Sequence, residues 1–264
     1  MSMNKGALAL ALCIVAIGFP TAHAAEISVT ITNNAPIGGT YLTPLWVGFH
    51  DGSFDTFNAG AAASAALEPL AEDGNVGPLS LSFAGSGVDG VVGGGPIAPG
   101  ASATTVLNLS NDGSNDYLSF ASMLLPSSDF FIGNDAPNVY SIAGILDGTF
   151  GSITVTVLSV YDAGTEVNDF GTSAGNPLFG IAGGQNGPNQ GANENGVITL
   201  AQGGDYLAYL NLAGVNVAPF DFSAYASIAT ITVSAVPIPA ALPLLMSGIV
   251  GLGFLRHRNS DQSG

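Results

Sequence analysis

The chain almost lacks positive charge: of 264 residues only 3 are lysine or arginine, against 19 aspartates and glutamates. Lys5, Arg256 and Arg258 stand at the two ends, and residues 6–255 contain neither type. A body this acidic repels nucleic acid and anionic lipid headgroups and attracts cations, divalent ones above all. No nucleic-acid partner is therefore expected. Cysteine is nearly missing as well. The single one, Cys13, lies in an N-terminal apolar run. The body thus has no disulfide, no thiolate nucleophile and no cysteine-ligated metal site. A domain of about 210 residues has core enough to fold without such cross-links. Histidine numbers 3, and only His50 lies outside the terminal segments. A Ser-His-Asp mechanism would have to run on it.

What positive charge there is flanks apolar runs, which is how a chain is addressed to a membrane. Residues 1–24 read as a signal peptide: Lys5, then GALALALCIVAIGF, then the small-x-small site Ala22-His23-Ala24, with the mature chain starting at Ala25. At the other end, residues 238–255 carry no charge and Arg256, His257 and Arg258 follow. At about 1.5 Å per residue this run reaches roughly 27 Å, enough to cross a bilayer core as a transmembrane helix. Arg256 and Arg258 would stay cytoplasmic with the tail 259–264, leaving the body outside. Pro239 and Pro243 break the outer part of the span, and glycines 248, 251 and 253 make it a mediocre permanent anchor.

Val236, Pro237, Pro239 and Ala240 form a V-P-x-P-A box ahead of this span and basic cluster. That order resembles the exosortase-type C-terminal sorting signals of Gram-negative bacteria, the PEP and VPxPA tails, over residues 236–258. The resemblance implies an exosortase-type transpeptidase as partner, processing near the box, and at least transient attachment to the inner membrane before display at the cell surface or release. An ordinary C-terminal anchor is the alternative.

Between the ends, 37 glycines and 15 prolines punctuate short apolar runs. Strand patterns fall at 26–32, 41–50, 79–83, 104–110, 116–125, 150–162, 205–214 and 225–236. EISVTIT alternates with period two, whereas LWVGFH is apolar enough for a core strand. About eight strands at this spacing predict an all-β, antiparallel β-sandwich over residues 25–235. At most one short helix is expected, in the Ala-rich segment 60–74, with Pro69 interrupting it. Residues 181–196, rich in Gly and Asn, read as a long loop without apolar anchors.

Three motifs bear on chemistry. Residues 85–90 match G-x-G-x-x-G, but VVGGGP follows and cannot open a phosphate-cradling helix, so the segment reads as a loop. His50-Asp51-Gly52-Ser53 offers hydrolase residue types at the end of a strand, yet Asp-Gly is also a common turn pair and no nucleophile motif accompanies it. Asp162-Ala163-Gly164-Thr165-Glu166 sets two acids across a glycine-containing turn, and Asp129 follows another strand. Converging carboxylates repel unless a proton or a cation lies between them, and calcium takes oxygen ligands in flexible number. On residue chemistry alone, solvated turn acids remain the simpler account.

LTPLWVGFHDGSF (42–54), ASAALEPLAEDGN (63–75), SMLLPSSDFFIG (122–133) and YDAGTEVND (161–169) occur in an order that resembles the spondin N-terminal domain. ASIATITV (226–233) fits its last strand but lacks the basic residues often found there. The resemblance implies a C2-like β-sandwich with a calcium site at one end, whose ligands here would be Asp129, Asp162 and Glu166. Three carboxylates leave one negative charge in excess over the ion, with backbone carbonyls and waters completing about six to eight ligands. The expectation is thus an exported calcium-binding protein with a structural or binding role and no turnover, met by an extracellular glycan or matrix protein. Two alternatives stay open: a calcium-dependent lipid- or glycan-binding module, and a secreted hydrolase using His50.

Overall fold

The computed structural model describes residues 24–185 and 188–237. Residues 1–23 of the signal segment, the span 238–255, Pro239, Ala240, Arg256 and Arg258 lie outside the described residues, whereas Ala24 opens the first strand. Among the described residues no helix is long and apolar enough to cross a membrane.

Two antiparallel sheets make up most of the domain. The first runs β5 (Ser102–Ser110), β1 (Ala24–Asn33), β11 (Ala229–Ala235), β8 (Ser152–Val157). The second runs β10 (Thr199–Leu200), β9 (Tyr161–Asp162), β7 (Phe130–Gly133), β6 (Tyr117–Leu125), β3 (Leu45–His50), β4 (Gly87–Val92), with β2 (Tyr41–Leu42) also paired to β6. The chain's first and last described strands lie side by side, Ile27 opposite Ala235 and Asn33 opposite Ala229. Val236 continues this pairing by donating its N–H to Glu26 O at 2.8 Å.

β1 buries alternate residues, Ile27, Val29 and Ile31, and leaves Thr and Ser on the wetter face. Each such aliphatic side chain contributes about 1.5–3 kcal/mol by leaving water. With Leu109, Val155, Val157, Ile231 and Val233 they meet Val47, Phe49, Leu118, Phe120, Phe130 and Ile132 of the second sheet in one core. β3, in contrast, is buried along its whole length. Its outward residue Trp46 belongs to a second cluster with Ala121, Phe131, Leu67, Leu70, Leu79 and Phe83. A strand covered on both faces has no reason to alternate, which is why LWVGFH is nearly all apolar.

The cover on that outer face corrects the expectation of at most one helix. Among the described residues four α-helices form: α1 (Glu68–Asp73), α2 (Gly77–Phe83), α3 (Ala143–Leu146) and α4 (Gly203–Leu212). The expected strand 79–83 is the end of α2, where Pro78 takes the first turn and Leu79 and Phe83 bury one face. Proline suits that turn because no N–H is needed there. The expected strand 205–214 falls in α4, with Tyr206 and Leu210 buried four residues apart. In α1, Pro69 starts the helix rather than interrupting one, and the Ala-rich residues before it stay non-helical. The strand count is also higher than expected, because β4 and β7 and the two-residue strands β2, β9 and β10 add to the long ones. β4 grows directly out of the G-x-G-x-x-G segment, which is therefore a turn entering a strand and not a loop.

Candidate metal centre

At one end of the second sheet, the turn between β6 and β7 meets the segment that follows β9. Ser127 shapes that turn, its hydroxyl donating to Leu124 O at 2.5 Å and accepting from Phe130 N at 3.1 Å. This sets Asp129 fully out of solvent (0% exposed). One of its oxygens, Oδ2, accepts from Thr165 N at 2.8 Å, Glu166 N at 3.1 Å and Thr165 Oγ1 at 3.2 Å. The other, Oδ1, is inaccessible and has no hydrogen-bond donor. Burial, and then the charge of Asp162, pushes this carboxyl up to about 7.

Asp162 pairs through its backbone with Phe130 and Thr199, so β7 and β10 fix its place. Its Oδ1 accepts from Gly164 N at 2.9 Å and its Oδ2 from Asn168 Nδ2 at 2.6 Å. Gly164 holds a left-handed backbone (φ +65°), and a Cβ there would stand 2.8 Å from both the N and the O of Val197. Glycine alone lets the turn close this tightly against the returning chain.

One carboxylate oxygen each from Asp129, Asp162 and Glu194 lie within 4.8 Å of one another. Burial and the charge of Asp162 also raise the Glu194 carboxyl. Of the three acids expected from the sequence, then, Asp129 and Asp162 come together. Glu166 turns elsewhere: its Oε1 accepts from Thr172 Oγ1 at 2.9 Å and its Oε2 from Gln185 Nε2 at 3.1 Å. It is buried (2% exposed), and that burial, reinforced by the charges of Glu72, Asp129 and Asp169, pushes it up to about 7. Gly191 passes directly over it, since a Cβ on Gly191 would fall 1.9 Å from Glu166 Oε1. α1 adds two more acids to the neighbourhood, Glu72 and Asp73, both with carboxyls raised chiefly by burial.

His50 ends β3 in a different setting. It is fully buried, and Gly52 N–H donates to its Nδ1 at 3.0 Å. The ring proton therefore sits on Nε2 and points to Ser119 Oγ, 3.0 Å away. A histidine that donates to a serine hydroxyl is not placed to take that hydroxyl's proton. Burial lowers its pKa, which keeps the ring neutral.

The model of the spondin N-terminal domain, Spondin_N, matches residues 30–177, more than half of the chain. The chain belongs to the spondin N-terminal domain family. No curated protein matches it. The spondin match takes in Asp129, Asp162 and Glu166 but ends ahead of Glu194, α4 and β11, although β11 lies inside the first sheet. Glu194 escapes sequence reasoning because it stands in a Gly/Asn-rich stretch with no pattern around it, and only the fold returns it to Asp129.

A cation fits this place on the structure's own terms. Asp129 carries a buried acceptor oxygen without a donor, beside two further carboxylates. The body holds no lysine or arginine to answer it, since residues 6–255 contain none. The donor set is all oxygen, which suits calcium better than a nitrogen- or sulfur-seeking metal.

Proposed function

We propose that this spondin-family protein is an exported calcium-binding module with a structural or binding role at the cell surface or in the extracellular matrix, and that it turns over no substrate. The observation that carries the reading is the buried, donorless Oδ1 of Asp129 within a carboxylate group that no basic side chain neutralises. Asp129 and Asp162 would hold the ion, which would supply the missing positive charge and tie the turn after β6 to the segment after β9 at one end of a C2-like sandwich. The orientation of His50 toward Ser119 supports a non-catalytic reading over a hydrolase.

In this account the acidic body needs calcium to approach anionic lipid at all, so a neutral glycan or a matrix protein is the partner it favours. The V-P-x-P-A box and the basic tail would hand the protein to an exosortase-type transpeptidase after transient residence in the inner membrane. Mass spectrometry of protein extracted from the cell surface tests this routing, with a C-terminus near Pro239 expected and an intact Arg258 contradicting it. Calorimetric titration with calcium, with melting curves in calcium and in chelator, tests the ion. A saturable heat and a lower melt in chelator are expected; no heat and identical melts would remove the reading.

A further inference from the structure

Resting on the calcium reading above, we infer that the third carboxylate of the site is Glu194, delivered by a segment beyond the family match, and that Glu166 is not a ligand. Glu194 is exposed, yet its carboxylate shares a 4.8 Å neighbourhood with those of Asp129 and Asp162. Its backbone is held there by an antiparallel ladder against the D-A-G-T-E turn. Glu194 N donates to Thr165 O at 2.9 Å, Gly196 N to Gly164 O at 2.7 Å, and Val167 N to Ala192 O at 2.8 Å. Glu166 and Asn193 form the bridge between these bonds.

The same ladder explains why Glu166 is spent on other work. Its oxygens accept from Thr172 and Gln185, the backbone of Gly191 covers it, and, unlike Asp162, it stands outside the group that Asp129 and Glu194 join. Freeing it to reach the ion would break both hydrogen bonds and lift Gly191 away. Asp129, in contrast, offers an oxygen with no donor, an observation independent of the acids being clustered. Three carboxylates brought together without a counter-charge repel, so an ion that joins them also draws the Glu194 segment onto the turn. Calcium binding and docking of residues 192–196 are then one event.

The test is calcium titration of the full-length protein in detergent, with hydrogen exchange read at the Glu194 and Gly196 amides. E194Q is expected to weaken calcium binding about tenfold or more, as lost ligand charge does at such sites, and to abolish the calcium-dependent slowing of exchange at those amides. E194D should restore part of both. Because Glu194 is exposed, the melt of E194Q in chelator should match that of the wild type, which separates ligand loss from misfolding. E166Q should keep affinity within about threefold of wild type by the same charge argument. Wild-type affinity in E194Q, whether or not E166Q fails to bind, overturns the inference while leaving calcium at Asp129 intact. No binding by the wild type removes the calcium reading itself.

Discussion

Two populations of acids occupy this molecule, and they have opposite environments. Asp51, Asp112 and Asp147 sit in exposed turns and accept from the residue two ahead: Ser53 N at 2.9 Å, Ser114 N at 3.0 Å and Thr149 N at 2.8 Å. Those bonds, the side-chain hydroxyl's first and the backbone's second, lower all three carboxyls. Asp129, Glu166 and Glu72 are buried against one another, and burial raises them. Local sequence does not separate the cases: Asp51 and Asp112 stand beside a glycine and a serine, Asp129 beside two serines and Glu72 close to a glycine. What differs is whether the turn stands in water or is closed over by a second segment. An exposed turn acid is complete as it stands, whereas a buried one needs a proton or an ion.

The strongest way to sharpen that contrast is to add the ion. Calcium at a hundredfold excess over its dissociation constant should stabilise the fold by about 2.7 kcal/mol. For a domain of this size that raises Tm by about 5–10 °C in scanning calorimetry. Next comes D129N, which removes the buried charge but keeps an oxygen for the Thr165 and Glu166 N–H groups. In chelator at pH 8 its unfolding free energy should exceed the wild type's by about 1–3 kcal/mol, while calcium no longer shifts its melt. A D129N protein less stable than wild type in chelator would mean that the buried charge is already neutralised from within.

A smaller effect follows from pH. Asp129 and Glu166 have folded pKa values raised to about 7, above their unfolded values. The folded state therefore holds their protons longer, and the stability this lends is present below about pH 4 and lost as pH rises through about 7. Melts in chelator should fall across that window, and saturating calcium should remove the Asp129 share of the slope because it replaces that proton, leaving the Glu166 share. The turn acids run the other way: their contribution is present above about pH 4 and is lost as pH falls through their lowered values. Smallest of all, D51N, D112N and D147N should leave calcium affinity unchanged in the same titration. A loss of affinity in any of them would break the division between the two populations.

The sheets were legible where one face is wet. EISVTIT alternates, and β1 buries Ile27, Val29 and Ile31 in the register that alternation requires. LWVGFH is legible as a core strand, but not why it is apolar throughout, since LSLSF, which as part of α2 covers Trp46, reads as a strand in the sequence. The two helices whose sequences read as strands share a cause. LSLSF and DYLAYLNL carry β-favouring residues, but Leu79 with Phe83 and Tyr206 with Leu210 fall four apart, a helical spacing. Pro78, at the head of α2, was the available signal. At the candidate site short motifs mark Asp129 and Asp162 in the sequence. None marks Glu194, because its place beside them depends on a ladder formed by backbone alone.

Everything proposed for this site depends on a cation satisfying the buried Asp129 carboxylate. Calorimetric titration of wild type and D129N with calcium at pH 7.5 tests it most directly. One saturable site is expected in the wild type and none in D129N. Equal calcium heats in the two proteins, or a flat wild-type titration, would contradict it.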